Sequence, residues 1–166
     1  MVEVQDYRDG MALLGSAVSV ITTDGPAGRA GFTATAVSSV TDQPPTLLVC
    51  QNKSSYAHRL FLENKVLCVN VLSQNHESLS AAFADRALEV EARFARAQWS
   101  QLATRSPVLS HALVAFDCAI VDSHEVGSHV VFFAQVHGIQ LGGGSGGLVY
   151  FDRAYHALAH RAPAPA

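Results

Sequence analysis

Short β-branched apolar runs, cut by Gly, Pro and Asp, recur along this 166-residue chain without a regular helix between them. Residues 17–23 (AVSVITT) alternate and read as a strand. Residues 46–51 (TLLVCQ) and 66–72 (VLCVNVL) are nearly continuous apolar runs, the pattern of strands covered on both faces. Residues 30–39 (AGFTATAVSS) form a strand of small side chains and hydroxyls. Residues 113–124 and 130–141 make a long strand pair joined by a loop at 125–129, and 148–151 (LVYF) a short last strand. Turn chemistry separates them at 24–28 (DGPAG), 42–45 (DQPP) and 142–147 (GGGSGG). Helices are few. Residues 6–15 carry Asp6 as a candidate N-cap, Tyr7, Met11 and Leu14 on one face, and Gly15 as a stop. Residues 54–63 begin on Ser54, and 78–83 and 87–95 are short and rich in Ala, Leu, Glu and Arg. With about six or seven strands and no βαβα alternation, a doubly wound parallel sheet is disfavoured and an antiparallel barrel or sandwich favoured. The chain reads as mainly β with short helices, in a single domain.

Charged residues are only 15%, against roughly 25% in an average chain. Two readings follow: a surface rich in Ala, Ser, Thr and Gln, or a surface partly covered by a second copy. Eleven Lys and Arg against 14 Asp and Glu leave a net charge of −3 and no basic stripe, which argues against nonspecific nucleic-acid binding. No apolar run approaches the ~20 residues of a membrane span. The N-terminal MVEVQD lacks the basic start of a signal peptide. Cys50, Cys68 and Cys118 are an odd number, far apart and each in an apolar segment, so they read as small buried hydrophobes in a reducing compartment. A cytoplasmic location without membrane or nucleic-acid partners is expected. The Pro/Ala end at 161–166 is expected to be disordered.

Several familiar chemistries are absent. Gly146 and Gly147 lead into the strand-like Leu148 and Val149, not into the GK[ST] and helix of a phosphate loop. No GxGxxG opens a helix, so a nucleotide cofactor would not be held in the Rossmann manner. His124 and His129, and His156 and His160, are close in sequence, but no HExxH or nearby cysteine makes a zinc site of them. No GxSxG elbow exists for a nucleophilic serine. The stretch 31–45 (GFTATAVSSVTDQPP) is more informative. Small side chains let a flat ligand lie against the backbone, with N–H groups and hydroxyls at its polar edge. Tight strand pairing would use the same residues.

Read in order, GFTATAVSSVTDQPPTLLVCQNKSS at 31–55, with YRDGM before it and CVNVL after it, then VGSH at 126–129 and GLVYFDRAYH at 147–156, resembles the short-chain flavin reductases. These are the reductase components of two-component flavin-dependent monooxygenases. The likeness spans roughly residues 5–160 and is nearest to the reductases of hydroxyphenylacetate oxygenation and pyrimidine-ring degradation. It implies an FMN-binding split β-barrel, a homodimer, and reduction of FMN or FAD by NADH or NADPH, with reduced flavin passed to a separate oxygenase. By the resemblance, Thr33, Ala34, Thr35 and Ala36 line the isoalloxazine and Ser38, Ser39 and Val40 follow the ribityl chain. Asn52, Lys53, Ser54 and Ser55 hold the phosphate, which suits serines at an expected helix N-terminus beside a lysine. His129 stands on a loop near the nicotinamide, and Arg153 and His156 near the flavin. Phe83-Ala84-Asp85 takes the place of the family's Phe-Ala-Gly. Hydride transfer needs orientation more than an acid–base pair, consistent with the lack of an evident dyad. Two other classes fit the same strands: a flavin- or haem-binding barrel without turnover, and an interaction module without a cofactor.

Overall fold

The computed structural model describes residues 1–143 and 146–160; the tail at 161–166 and its expected disorder lie outside the described residues. Helix α1 (Val4–Ala12) leads into β1 (Ser16–Ala17), β2 (Ser19–Thr23), β3 (Ala30–Ala34), β4 (Val37–Asp42) and β5 (Pro45–Asn52). Helix α2 (His58–Asn64), β6 (Val66–Val71), a 3-10 turn at Gln74–His76, α3 (Glu77–Ala84) and α4 (Val90–Phe94) follow. The rest is strand: β7 (Trp99–Gln101), β8 (Pro107–Leu109), β9 (Val114–Val126), β10 (His129–Leu141), β11 (Gly146–Phe151) and β12 (Ala154–Ala159).

Seven strands form one antiparallel sheet in the order β3-β2-β6-β9-β10-β5-β4. Its two edge strands, β3 and β4, are consecutive in the chain, with only Thr35 and Ala36 between them. Two residues span at most about 10 Å. The sheet must therefore curl until its edges nearly meet, and since no ladder joins β3 to β4 the barrel stays split along that seam. A second sheet, β1-β11-β12, packs beside it through α3 and the 3-10 turn.

The core follows from this curl. Ile21, Leu67, Val69, Phe61, Val49, Val130 and Phe132 fill the barrel. Val20, Cys68, Leu72, Leu79, Phe83, Phe94, Leu109 and Leu148 form a second cluster on the outer side of β2 and β6. Both faces of β2 and most of β6 are thus buried; the continuous apolar run at 66–72 predicts this for β6, whereas the alternation at 17–23 does not carry over to β2, whose Ser19, Thr22 and Thr23 are buried as well. Buried Asn70 fixes the outer layer: its Nδ2 donates to the Val20 carbonyl (3.1 Å), and its Oδ1 accepts from Leu109 N–H (2.7 Å).

Other expectations are corrected. Strand β5 alternates between buried and half-buried residues, because its second face lines open space. The strand expected over 30–39 breaks at Thr35-Ala36 to change edges. Helix α1 begins at Val4 after Glu3; Asp6 lies in its first turn and does not cap it. No residue of α1 is buried. Helix α2 starts only at His58, because Asn52 Oδ1 accepts the Ser54 N–H (2.9 Å) and the Asn52 carbonyl accepts the Ser55 N–H (3.0 Å), turning the chain before a helix can begin. Ser54 and Ser55 therefore stand in turns, not at a helix N-terminus. The expected loop at 125–129 shrinks to Gly127 and Ser128, with Gly127 at φ +55°, so His129 heads β10 instead of sitting in a loop. Strands β7, β8 and β12 were not anticipated: the first two are three residues each, and β12 follows a turn of two left-handed residues, Asp152 and Arg153.

Candidate functional site

A cavity of about 480 Å³ opens at the seam. One wall is Thr33, Ala34, Thr35 and Ala36, where β3 ends. The Thr35 carbonyl accepts from Val37 N–H and the Ala36 carbonyl from Cys50 N–H, both at 3.0 Å. Their own N–H groups make no such loop bond among the described residues. The floor is Cys50, Gln51 and Asn52 at the end of β5; the rim is Ser54, Ser55, Tyr56 and His129. The far wall comes from Phe83 to Arg86, and from Arg93 on α4. Burial pushes the Cys50 thiol above its usual range, so it is a neutral, half-buried wall and not a nucleophile. Cys68 and Cys118 are fully buried as expected, and burial with the nearby Asp117 charge pushes Cys118 up to about 12.

Phe83 is locked in place. Its ring packs edge-on against Phe94 (5.1 Å between centroids) and Trp99 (5.7 Å). It also lies directly over Gly31: a Cβ there would stand 2.6 Å from the ring. Tyr56 donates its hydroxyl hydrogen to the Gly31 carbonyl (3.1 Å), tying the rim to β3.

The seam has a second side. A cavity of about 640 Å³, sharing Thr35 and Ala36 with the first, is lined by Arg8, Met11 and Leu14 near α1, by Val37, Ser38 and Leu48, and by Tyr150 and Arg153. Arg153 pairs with Asp9, and this bond, with a second from Gln5, holds the Asp9 carboxyl below the usual range.

The structure thus brings together Thr33, Ala34, Thr35, Ala36, Asn52, Ser54, Ser55, Phe83 and His129 in the first cavity, and Ser38 and Arg153 in the second. It does not bring in four others. Lys53 points to Glu125, with Nζ 2.7 Å from Oε2, and this pairing holds the Glu125 carboxyl low. Ser39 and Val40 lie on exposed β4 and line neither cavity. His156 Nε2 lies 3.1 Å from the Phe151 carbonyl. His156 is also on a strand, so its spacing to His160 is not a helical face. No group of three potential metal ligands exists among the described residues. Sequence reasoning missed Cys50, Gln51, Tyr56, Arg86 and Arg93. Nothing local marks them: they meet only when β5, α4 and the segment after α3 converge.

Two observations fit the cavity to a flavin. The wall at 33–36 offers small side chains on which a flat ring can lie against main chain. Gln51, only 1% exposed, has a buried Nε2 with no hydrogen-bond partner among the described residues, an unused donor beside the cavity.

A curled antiparallel sheet with a main-chain-walled cleft at its open seam defines a scaffold for a flat, polar-edged ligand. The chain belongs to the flavin reductase like domain family, whose sequence model matches residues 11–159. It is 57% identical over 157 residues to the FMN reductase (NADH) RutF of Serratia proteamaculans, covering 95% of this chain and 89% of that protein. Among solved structures, a flavin-reductase-like protein from Haemophilus somnus superposes with a TM-score of 0.91 at 46% identity, over 95% of this chain and all of that one. BorF, the flavin reductase component of a bacterial two-component tryptophan halogenase, superposes with a TM-score of 0.88 at 25% identity, over 96% of this chain and all of BorF. The split-barrel architecture and the family expected from the sequence are both borne out.

Proposed function

We propose that this chain reduces FMN with NADH and releases the reduced flavin to a separate oxygenase. The observation that carries the reading is the seam cavity, walled by small residues and backbone, in a chain more than half identical to a protein named as an FMN reductase using NADH. A separate enzyme that takes the reduced flavin is supported by the two-component tryptophan halogenase system named for BorF. A bound flavin supplies a hydride acceptor at its N5. The residues that would hold it are Thr33 to Ala36 along the ring, Ser38 toward the second cavity, Asn52, Ser54 and Ser55 at the phosphate, and Phe83 on the far wall. Arg153 would border the ring from the second cavity. Their work is orientation and exclusion of water, worth more here than proton transfer. FAD is the alternative flavin, and NADPH the alternative donor. NADH oxidation measured in parallel with FMN, FAD and riboflavin tests the reading. Flavin binding without NADH oxidation would make the protein a carrier instead.

His129 lies at the rim, exposed, with Nδ1 2.9 Å from the Ser128 hydroxyl. There it can bond the nicotinamide carboxamide without touching the flavin. A single such bond is worth ~0.5–1.5 kcal/mol. His129→Ala is therefore expected to lower kcat/KM for NADH about 3- to 10-fold while leaving the flavin dissociation constant unchanged. Stopped-flow reduction at varied NADH measures this, and an unchanged rate removes His129 from the site.

We also propose a homodimer, in the cytoplasm. Tyr7, Met11, Leu13 and Leu14 are exposed on and beside α1, and no residue of that helix is buried within its own chain. No helix among the described residues is long and apolar enough to cross a membrane, and the cysteines are unpaired, as a reducing compartment leaves them. Sedimentation is expected to give twice the chain mass at micromolar concentration; a monomer there refutes the dimer.

A further inference from the structure

Thr33 lines the seam cavity, and the hydrogen of its hydroxyl is already committed. Oγ1 donates it to the Ser80 carbonyl on α3 (2.6 Å). A carbonyl oxygen can only accept and a hydroxyl has one hydrogen, so the direction of this bond is fixed. Any bond that Thr33 Oγ1 makes in the cavity must then use a lone pair. Ser80 is held in its turn. It is fully buried, and its Oγ lies 2.8 Å from the Tyr155 hydroxyl on β12. Tyr155 packs against the outer cluster that contains Leu79 and Phe83, both also on α3. Its ring meets Tyr150 edge-on, with 5.3 Å between centroids. A line of hydroxyls thus runs from β12 through α3 to the wall at β3, although neither Ser80 nor Tyr155 lines either cavity.

We infer that Tyr155 and Ser80 are positioning residues that hold Thr33 as an acceptor, so that this wall recognises a ring N–H at the edge of its flat ligand. The inference rests on the reading of this cavity as the flavin site. An isoalloxazine offers such a group in two places. N3 carries a hydrogen in both oxidation states, and N5 carries one only after two-electron reduction. An acceptor at N3 orients the ring and treats the two states alike. An acceptor at N5 favours the reduced flavin, because the oxidised N5 presents only a lone pair. Without the Ser80 carbonyl the Thr33 hydroxyl would be free to turn and donate, and the distinction would be lost.

The test measures dissociation constants for oxidised FMN, for 3-methyl-FMN, which lacks the N3 hydrogen, and, without oxygen, for reduced FMN. The proteins are wild type, Thr33→Val, Thr33→Ser, Tyr155→Phe and the double variant of Thr33→Val with Tyr155→Phe. Thr33→Val is expected to weaken binding of reduced FMN about 3- to 10-fold, as for one lost hydrogen bond. Thr33→Ser, which keeps the hydroxyl, should restore most of that affinity. A contact at N3–H extends the loss to oxidised FMN and spares 3-methyl-FMN; a contact at N5–H confines it to reduced FMN. Tyr155→Phe is expected to repeat the same pattern at about 2- to 3-fold and to add nothing in the Thr33→Val background. Equal losses for oxidised FMN and 3-methyl-FMN in Thr33→Val, or no loss for any flavin, overturn the inference. Losses in Tyr155→Phe that are the same for every flavin, or that add in full to those of Thr33→Val, reduce Tyr155 to a packing residue and overturn it too. If Thr33→Val does not fold, Tyr155→Phe, which removes a single oxygen, decides by its pattern across the three flavins. A wild-type protein that binds no flavin overturns the site itself, which is a separate outcome.

Discussion

Replacing Gly31 by alanine is expected to lower the unfolding midpoint by several degrees and weaken flavin binding about 10-fold. The added Cβ would stand 2.6 Å from Phe83 Cε1 and 3.1 Å from the Ile21 carbonyl oxygen, distances that require something to shift. The Ile21 oxygen is backbone in the middle of β2 and cannot yield. Phe83 cannot swing away either, because Phe94 and Trp99 close its other sides. Overpacking of this kind costs about 1–3 kcal/mol. In a domain of this size each kcal/mol is worth roughly 2–4 °C. The strain falls on the cavity because Phe83 is its wall and the Gly31 carbonyl anchors Tyr56 and Arg93. Adding Phe83→Leu removes the clashing ring edge, so the double variant should recover part of the lost stability despite deleting buried surface. Thermal melts of the two variants decide it: a wild-type midpoint for Gly31→Ala, or strictly additive losses in the double variant, would refute the account.

Introducing a carboxylate at Ser54 should separate FMN from riboflavin. Ser54 is exposed at the rim, and its N–H is held by Asn52 Oδ1, so a longer side chain can be accommodated without loss of the turn. A like charge about 4 Å from a phosphate costs ~4 kcal/mol at an effective dielectric constant near 20. Solvent at the rim reduces this, and a loss of about 100-fold in FMN affinity is expected for Ser54→Glu, with riboflavin unaffected within about 3-fold. The loss should shrink with added salt. If riboflavin binding falls as far as FMN binding, Ser54 does not face the phosphate.

The elements that could be read from the chain are those whose pattern is local. The continuous apolar run at 66–72 identified β6 because both of its faces are covered, one by the barrel filling and one by the outer cluster; β2 is covered in the same way although its run reads as alternating. The β9–β10 pair declared itself through length. What could not be read depends on distant partners. Strand β5 looked doubly covered, yet Leu48 and Cys50 face open space that exists only because the sheet curls. The turn at Asn52–Ser55 competes with a helix start through one side-chain bond, which composition does not reveal. Lys53 seemed an obvious cation until Glu125, 72 residues away, claimed it. Arg93 lies in a stretch, 87–95, whose sequence marks only a short helix, and its burial is decided by Gly31 and Tyr56. The small-residue wall at 33–36 was legible as a place for a flat ligand because smallness is a property each residue carries alone.

The position of the β9–β10 hairpin in the strand order bears on how the molecule is made. It lies between β3-β2-β6 on one side and β5-β4 on the other, and these two groups share no ladder. A chain emerging from the ribosome completes β6 at residue 71 but must wait until residue 141 for the hairpin that unites the halves. At about 5–20 residues per second that is an interval of roughly 4–14 seconds. Throughout it, β6 and β5 each present an open edge that β9 and β10 will later occupy, and apolar Leu67, Val69, Leu47 and Val49 lack the hairpin that will enclose them. The stretch between, residues 72–113, is helical or only briefly extended, so it adds no competing long strand while the edges stand open.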